Sequence, residues 1–386
     1  MGDDRAYDIV LFGATGFTGK LTAKYLAEHA PKGLRWAIAG RSRDKLERLR
    51  EELVADAGIV IADVDDGDSL RGVAECARVV VTTVGPYLEH GGPLVAACAK
   101  AGAAYLDLTG EPEFRDRMFL EHHAEAERTG ARIIHACGFD SIPYDMGVLY
   151  TVNQLPRDVP LKVRGFVRAG GLASGGTFHS AVGQFARARQ LQSVHGMRRK
   201  AEGAPAGGRK VRAEGGKPYR ESAIDAWAIP LPTIDPQIVT QSARLVPDAY
   251  GPDFTYGHFA WVKKLPVAVA GGLGVGAVFA LAQLPPTRAL LLKARGPGSG
   301  PSEAQMEKGY FKVRIVGEGG GERVVTEVRG GDPGYRETSK MLAEAALCLA
   351  VDDVPQVAGQ VTTAAAMGTH LIDRLQAAGI RFETLG

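Results

Sequence analysis

Apolar positions in the first third of the chain fall in short continuous runs, separated by segments with helical spacing. Tyr7–Phe12, Leu34–Ala39, Gly58–Val64, Arg78–Val84, Ala104–Leu108 and Ala131–Ala136 are the apolar runs. Runs this short and this uniformly apolar are strands buried on both faces, the mark of a parallel sheet. Lys20–Leu26, Arg43–Leu53, Ser69–Cys76, Pro93–Ala101 and Arg115–Thr129 lie between them with apolar residues three and four apart. Strand and crossover helix therefore alternate, and the pattern predicts a doubly wound parallel α/β domain over residues 1–140.

The pattern changes after Gly138. A helix near Met146–Leu155 precedes Leu161–Val167, which alternates as a half-exposed strand does, and a helix is expected over Phe178–Gln192. Gly203–Lys217, rich in Gly, Ala and basic residues, reads as a mobile surface loop. Tyr310–Val316 and Arg323–Val328 flank Gly319-Gly320-Gly321 and predict a hairpin. Residues 141–334 are thus expected to form an inserted α+β domain on a mostly antiparallel sheet. Helices at Ser339–Val351 and Gly368–Gln376, within 335–386, are expected to pack back on the first domain.

Composition narrows the class without deciding it. The 386 residues are 45% apolar and 23% charged, with a net charge of +2, so nucleic acid is not an expected partner. Cys76, Cys98, Cys137 and Cys348 are scattered without metal-ligand spacing and read as reduced thiols of a cytosolic protein. No metal site is expected, and the short acidic start before Tyr7 carries no secretory signal.

The first candidate chemistry is Gly13-Ala14-Thr15-Gly16-Phe17-Thr18-Gly19, placed between a buried strand and a helix. A glycine turn there presents bare backbone N–H groups and the positive end of a helix dipole to a pyrophosphate. Gly13, Thr15, Gly16, Phe17 and Thr18 are the expected cofactor contacts. The second strand ends in Gly40-Arg41-Ser42 where an NAD site places an acidic residue on the ribose 2′-hydroxyl. Arg41, Ser42 and Lys45 suit a 2′-phosphate, so the expected cofactor is NADPH. Against this, Ser42 could simply cap the helix Arg43–Leu53 while Arg41 stays solvated. Asp63 and Val64 after the third strand, with Gly85 and Pro86 after the fourth, complete the expected cofactor contour.

Hydride transfer from such a cofactor needs a proton donor or acceptor beside the hydride source. Tyr87 follows Gly85-Pro86 near the expected nicotinamide and is the first candidate, or else an apolar wall. Asp140, Ser141 and Tyr144 fall at the junction of the two domains, and Asp140 and Tyr144 are further catalytic candidates. Asp140 could instead cap the helix that begins near Pro143. Glu111 is read as a substrate-orienting group or a turn-closing one, Asp107 precedes it, and His179 is a lesser proton donor. His122 and His123 are expected to face solvent. None of the eleven tyrosines has Lys four residues later, which excludes the usual Tyr–Lys short-chain reductase mechanism.

Leu265–Leu284 contains no ionisable residue, and Gly272 and Gly276 form a small-xxx-small pair within it. Its length alone would suit a membrane span. Its Ala- and Gly-rich composition favours monotopic attachment, a lipid-binding wall, or buried or dimer packing. Lys263, Lys264, Arg288, Lys293 and Arg295 flank it and suit an anionic lipid surface.

Taken together, Gly13–Gly19, Gly40-Arg41-Ser42, Val84–Tyr87, Tyr105–Glu111, Gly138–Pro143 and Arg295–Ser302 resemble the saccharopine dehydrogenase-like oxidoreductases. Within them the chain is similar to the trans-acting enoyl reductases of complex-lipid synthesis. The resemblance implies a Rossmann domain binding NADP, an inserted α+β domain, and reduction of a carbon–carbon double bond in a lipid or polyketide intermediate. The substrate would be carried by a synthase lacking its own reductase. A cytoplasmic place is implied, with peripheral contact through 265–284 at the inner face of the plasma membrane, and a homodimer is a further expectation. The alternatives are a saccharopine dehydrogenase-like reductase of another small substrate and a non-catalytic, lipid-associated NADPH sensor.

Overall fold

Strand β1 (Tyr7–Phe12) lies between β2 (Trp36–Gly40) and β4 (Ala77–Thr82), parallel to both. The computed structural model describes residues 5–170, 182–183, 186–294 and 301–385. His179 and most of Arg295–Ser302 lie outside the described residues.

The chain divides into two units. The first runs through Phe139 and takes up Tyr335–Arg374. Its seven-stranded sheet has the order β3 (Gly58–Ile61), β2, β1, β4, β5 (Ala104–Leu106), β6 (Arg132–Ile134), then Gly359–Val361, all parallel. This is the doubly wound order whose topological switch lies between β1 and β4. Helices α1 (Phe17–His29), α2 (Arg43–Leu53), α3 (Gly67–Cys76), α4 (Tyr87–His90), α5 (Gly92–Ala101) and α6 (Pro112–Thr129) make the crossovers. Val10, Phe12, Val80 and Tyr105 supply one apolar face, against Val73, Leu94, Val95 and Phe114 of the helices. Arg336–Val351 is a long helix of the same unit; Ser339 donates to the Thr18 carbonyl (3.3 Å), and Phe17 meets the Tyr335 ring edge-on at 4.8 Å.

The second unit holds Asp140–Gly334 and the chain from Leu375 onward. Its eight-stranded sheet is mostly antiparallel. Central strand β7 (Leu161–Gly170) pairs antiparallel with β12 (Tyr310–Gly319) and parallel with β11 (Asp253–Val262). Beyond β12 come β13 (Glu322–Gly330) and Arg381–Leu385; beyond β11 come β10 (Ala226–Pro230) and β9 (Tyr219–Glu221). The β12–β13 hairpin turns on Gly320 and Gly321, both at positive φ, the geometry a two-residue turn requires. Phe166 stacks on Phe259 at 5.6 Å within this unit's core.

Two sequence expectations change. The final residues do not all accompany the first domain, because Arg381–Leu385 pairs with β13 and buries Phe382. The expected loop at 203–217 contains β8 (Lys210–Glu214), paired parallel with β11. Its backbone ladder and the Glu214 ion pairs to Lys162 and Arg164 hold a strand that apolar patterning does not reveal. Of the helix expected over Phe178–Gln192, residues 178–181 and 184–185 lie outside the described residues, and Ala188–Glu202 is helical. Leu265–Ala282 is a helix, with Val267, Val269, Phe279 and Leu281 exposed on it. Among the described residues no helix is long and apolar enough to cross a membrane.

Candidate active site

In the first unit, the carboxyl ends of the strands gather the expected cofactor contacts. Gly13 sits at φ +85°, and a Cβ there would stand 2.6 Å from Val84 Cγ2 and 2.9 Å from Thr83 Oγ1. A Cβ on Gly19 would collide with the Gly13 carbonyl, so helix α1 can start only this close to the strand with glycine at both places. Gly16 occupies the α1 N-cap with no side chain capping it, and the first-turn amides of Phe17 and Thr18 lack that competitor for an incoming anion. Thr15 is half-buried in the same turn.

Arg41 follows β2 directly, is exposed, and forms no ion pair among the described residues. Ser42 stands at the α2 N-cap, and its hydroxyl makes no capping bond. Lys45 is exposed one turn further on. The three positions directly after β2, Arg41 to Arg43, carry no carboxylate that would repel a 2′-phosphate, and the group of donors fits NADP. Asp63 shapes the turn after β3: its carboxylate accepts the Asp65 amide at 3.2 Å, and its own amide donates to Ser69 Oγ at 3.1 Å. Val64 beside it is half-exposed, while Gly85 and Pro86 are exposed after β4.

Tyr87 turns inward. Its phenol donates to the Thr82 carbonyl (3.1 Å) and accepts from the Leu108 amide (3.2 Å), and the side chain is buried. Burial, with Asp107 next, holds that phenol well above its ordinary range. Backbone groups of the same unit thus take both a donated and an accepted hydrogen bond of this phenol. Glu111 is likewise structural: its carboxylate accepts the amides of Tyr87 (3.3 Å) and Leu88 (2.8 Å) at the start of α4. Asp107 accepts the amides of Thr109 and Ala136 and contacts His135 Nδ1 at 2.6 Å. His122 and His123 are half-buried, not solvent-facing, and His123 Nδ1 accepts the Gln360 amide at 2.9 Å.

The second unit assembles a polar cluster that sequence reading finds only in part. Helix α7 (Ile142–Val152) begins after Asp140 and Ser141. Asp140 does not cap it: the N-cap is Ser141, with no side-chain capping bond. Asp235 opens the helix Asp235–Leu245 and is buried. His258, on β11, places Nε2 3.5 Å from Asp235 Oδ2 and Nδ1 3.2 Å from the Tyr256 hydroxyl. The Tyr144 ring meets His258 edge-on at 4.8 Å. Thr233 donates a further bond to Asp235 Oδ2.

Electrostatics orders these groups. Burial drives His258 down to about 3, so it is neutral at physiological pH; the network fits a proton on Nε2 aimed at Asp235 and a Tyr256 hydroxyl donating to Nδ1. Burial raises both Asp140 and Asp235, and Asp235 pushes Asp140 up further. Burial, then Asp235 and Asp140, keeps the Tyr144 phenol protonated. Asp235 and His258 escape sequence reading because they lie 95 and 118 residues beyond Asp140, on separate elements; Thr233-Ile234-Asp235-Pro236 is a helix-start pattern.

A doubly wound domain with an NADP cradle, joined to a mixed-sheet unit holding buried acids, defines a class of NADPH-dependent oxidoreductases. Residues 9–134 match the saccharopine dehydrogenase NADP binding domain. A trans-acting enoyl reductase of Mycobacterium tuberculosis is 36% identical, with 98% of this chain and 97% of that one covered. One from Mycobacterium ulcerans is 33% identical, with 97% of each covered. Saccharopine dehydrogenase (L-Glu forming) from Saccharomyces cerevisiae shares the fold, with a TM-score of 0.55 at 12% identity over 98% of this chain and 99% of that one. The chain belongs to the saccharopine dehydrogenase-like family of trans-acting enoyl reductases.

Proposed function

We propose that this oxidoreductase reduces a carbon–carbon double bond conjugated to a carbonyl, in a lipid or polyketide intermediate presented by a separate synthase. The observation that carries the reading is the full-length likeness to relatives named for that reaction, joined to the Arg41–Ser42 cradle. NADPH, when bound, supplies the hydride. Glycines at 13 and 19 let the pyrophosphate reach the backbone, while Arg41, Ser42 and Lys45 favour the 2′-phosphate. Asp140 and Tyr144 remain the candidate proton donors, because Tyr87 is committed to its own core. The exposed apolar residues of Leu265–Ala282 beside Lys263 and Lys264 support peripheral contact with an anionic membrane that delivers such a substrate.

Incubation with NADPH and a series of 2-enoyl thioesters, on N-acetylcysteamine and on an acyl carrier protein, tests the reading by mass spectrometry. Saturated product matching the NADPH consumed supports it. Tight NADPH binding with no saturated product across the series overturns it in favour of a cofactor sensor.

A further inference from the structure

Four cations stand in register across one end of the second unit's sheet. Lys312 on β12 is paired directly with Arg168 on β7 and with Arg329 on β13, and Arg329 is paired with Arg381 on the strand Arg381–Leu385. Directly paired residues of neighbouring strands project to the same face, so the four form a single file roughly 14 Å long, at about 4.8 Å per strand. Like charges directly opposite one another destabilise a sheet. At the other end of the same face the cross-strand set Lys162, Glu318 and Arg323 alternates in sign, so the file is not a general habit of this surface.

The neighbouring positions compensate the file only in part. Glu327 contacts Lys312 Nζ at 3.6 Å and also takes the Arg314 guanidinium, and Glu383 contacts Arg329 at 2.7 Å. Two carboxylates thus face five cations, and positive charge is left in excess. Arg168 and Arg381, the two ends of the file, form no ion pair among the described residues; Arg168 lies 6.0 Å from the Tyr310 ring. Arg381 is exposed, and Arg168, Lys312 and Arg329 are partly exposed. Among the described residues these four strands expose no large apolar side chain.

We propose that this file docks an acidic helix of the carrier that presents the substrate, lying across the strands with its carboxylates along one face. Naming the partner a substrate carrier rests on the enoyl reductase reading; the cation file itself does not. Carboxylates at i, i+4, i+7 and i+11 of a helix share a face and span about 16 Å at 1.5 Å per residue, close to the length of the file. A second copy of this chain would bring the same cations face to face across a twofold axis. A membrane surface would call for apolar anchors beside the cations, which these strands lack. Complementary charge of this kind sets encounter and orientation, so it acts on KM and on salt dependence and not on kcat.

The test compares the full-length wild-type with Arg168→Gln/Arg381→Gln, which leaves both glutamate contacts in place. Binding of a fluorescently labelled acyl carrier protein is read by anisotropy at low and at high salt, beside the same carrier with the carboxylates of its acidic helix changed to amides. The wild-type should bind the native carrier, lose about tenfold in affinity at high salt, and ignore the amide form. The glutamine variant should bind the native carrier about tenfold more weakly, and Arg168→Lys/Arg381→Lys should stay within about twofold of wild-type. With a 2-enoyl chain attached, the glutamine variant should raise KM for the carrier-bound substrate about tenfold and leave that for the N-acetylcysteamine thioester within about twofold. No carrier binding by the wild-type, equal binding by the glutamine variant, or an equal loss in the lysine variant overturns the docking site. Binding of anionic vesicles or of a heparin fragment with the same dependence on Arg168 and Arg381 overturns it too, as does a change of oligomeric state in the glutamine variant. Carrier binding of the expected pattern in a protein that reduces neither thioester overturns the enoyl reductase reading instead and leaves the docking site standing.

Discussion

The Leu108 amide donates to the Tyr87 hydroxyl at 3.2 Å, while that hydroxyl donates to the Thr82 carbonyl at 3.1 Å. One phenol thereby ties the end of β4 to the loop after β5.

Tyr87→Phe should accordingly lose stability, not chemistry. The buried Thr82 carbonyl and the part-buried Leu108 amide would lose this partner, at about 1–3 kcal/mol each. Denaturant unfolding should show that loss while kcat stays within about twofold of wild-type. A fall in kcat of tenfold or more with unchanged stability would restore Tyr87 to the reaction.

Arg41→Ala removes the cation best placed for the 2′-phosphate. A charge-assisted hydrogen bond is worth roughly 1.5–3 kcal/mol, so NADPH should bind on the order of ten- to a hundredfold more weakly. NADH affinity, measured by fluorescence titration, should change less than threefold. Equal losses for both cofactors would count against the assignment.

Gly13→Ala introduces a Cβ at φ +85° and at 2.6 Å from Val84 Cγ2. Left-handed backbone alone costs an L-residue about 1–2 kcal/mol, and the contact adds to it. Thermal unfolding should fall by several degrees and NADPH protection should be lost. An unshifted melting curve with full cofactor protection would contradict the geometry described for this turn.

His258 gives a pH dependence of stability with a definite sign. Its folded value, about 3, lies below the ordinary 6.5, so the unfolded chain takes up a proton that the folded chain refuses. Stability is retained above pH 6.5 and lost as pH falls from there toward 3. The loss should reach about 2 kcal/mol at pH 5 for this group alone. His258→Gln, compared with wild-type by urea unfolding at pH 7 and pH 5, should be less acid-sensitive by that amount. Parallel curves for the two proteins would remove His258 as the cause.

Much of the first unit is legible in the sequence because its determinants are local. Continuous apolar strands, Gly13 and Gly19 around a helix start, and arginine in place of an acid after β2 all lie within one βαβ stretch. Tyr87 marks the limit of such local reading: spacing places a residue near a strand end but does not say which way its side chain turns. Asp140 and Tyr144 are adjacent to a recognisable motif, whereas Asp235 and His258 reach the same cluster through separate elements. Lys210–Glu214 is hidden because its partners are backbone groups of β11 and the cations of β7, not apolar neighbours. Arg381–Leu385 is too short to show which sheet it joins, and only its pairing with β13 decides that.

The central claim is hydride delivery from NADPH to an enoyl carbon with a proton from the protein's own acid. Its most direct measurement uses NADPH deuterated at the nicotinamide C4, a 2-enoyl thioester, and mass and NMR analysis of the product from wild-type protein. The account predicts a saturated thioester with deuterium from one C4 face at the β-carbon and a solvent-derived hydrogen at the α-carbon. Deuterium at the α-carbon, or NADPH bound and unconsumed beside untouched enoyl thioester, would contradict it.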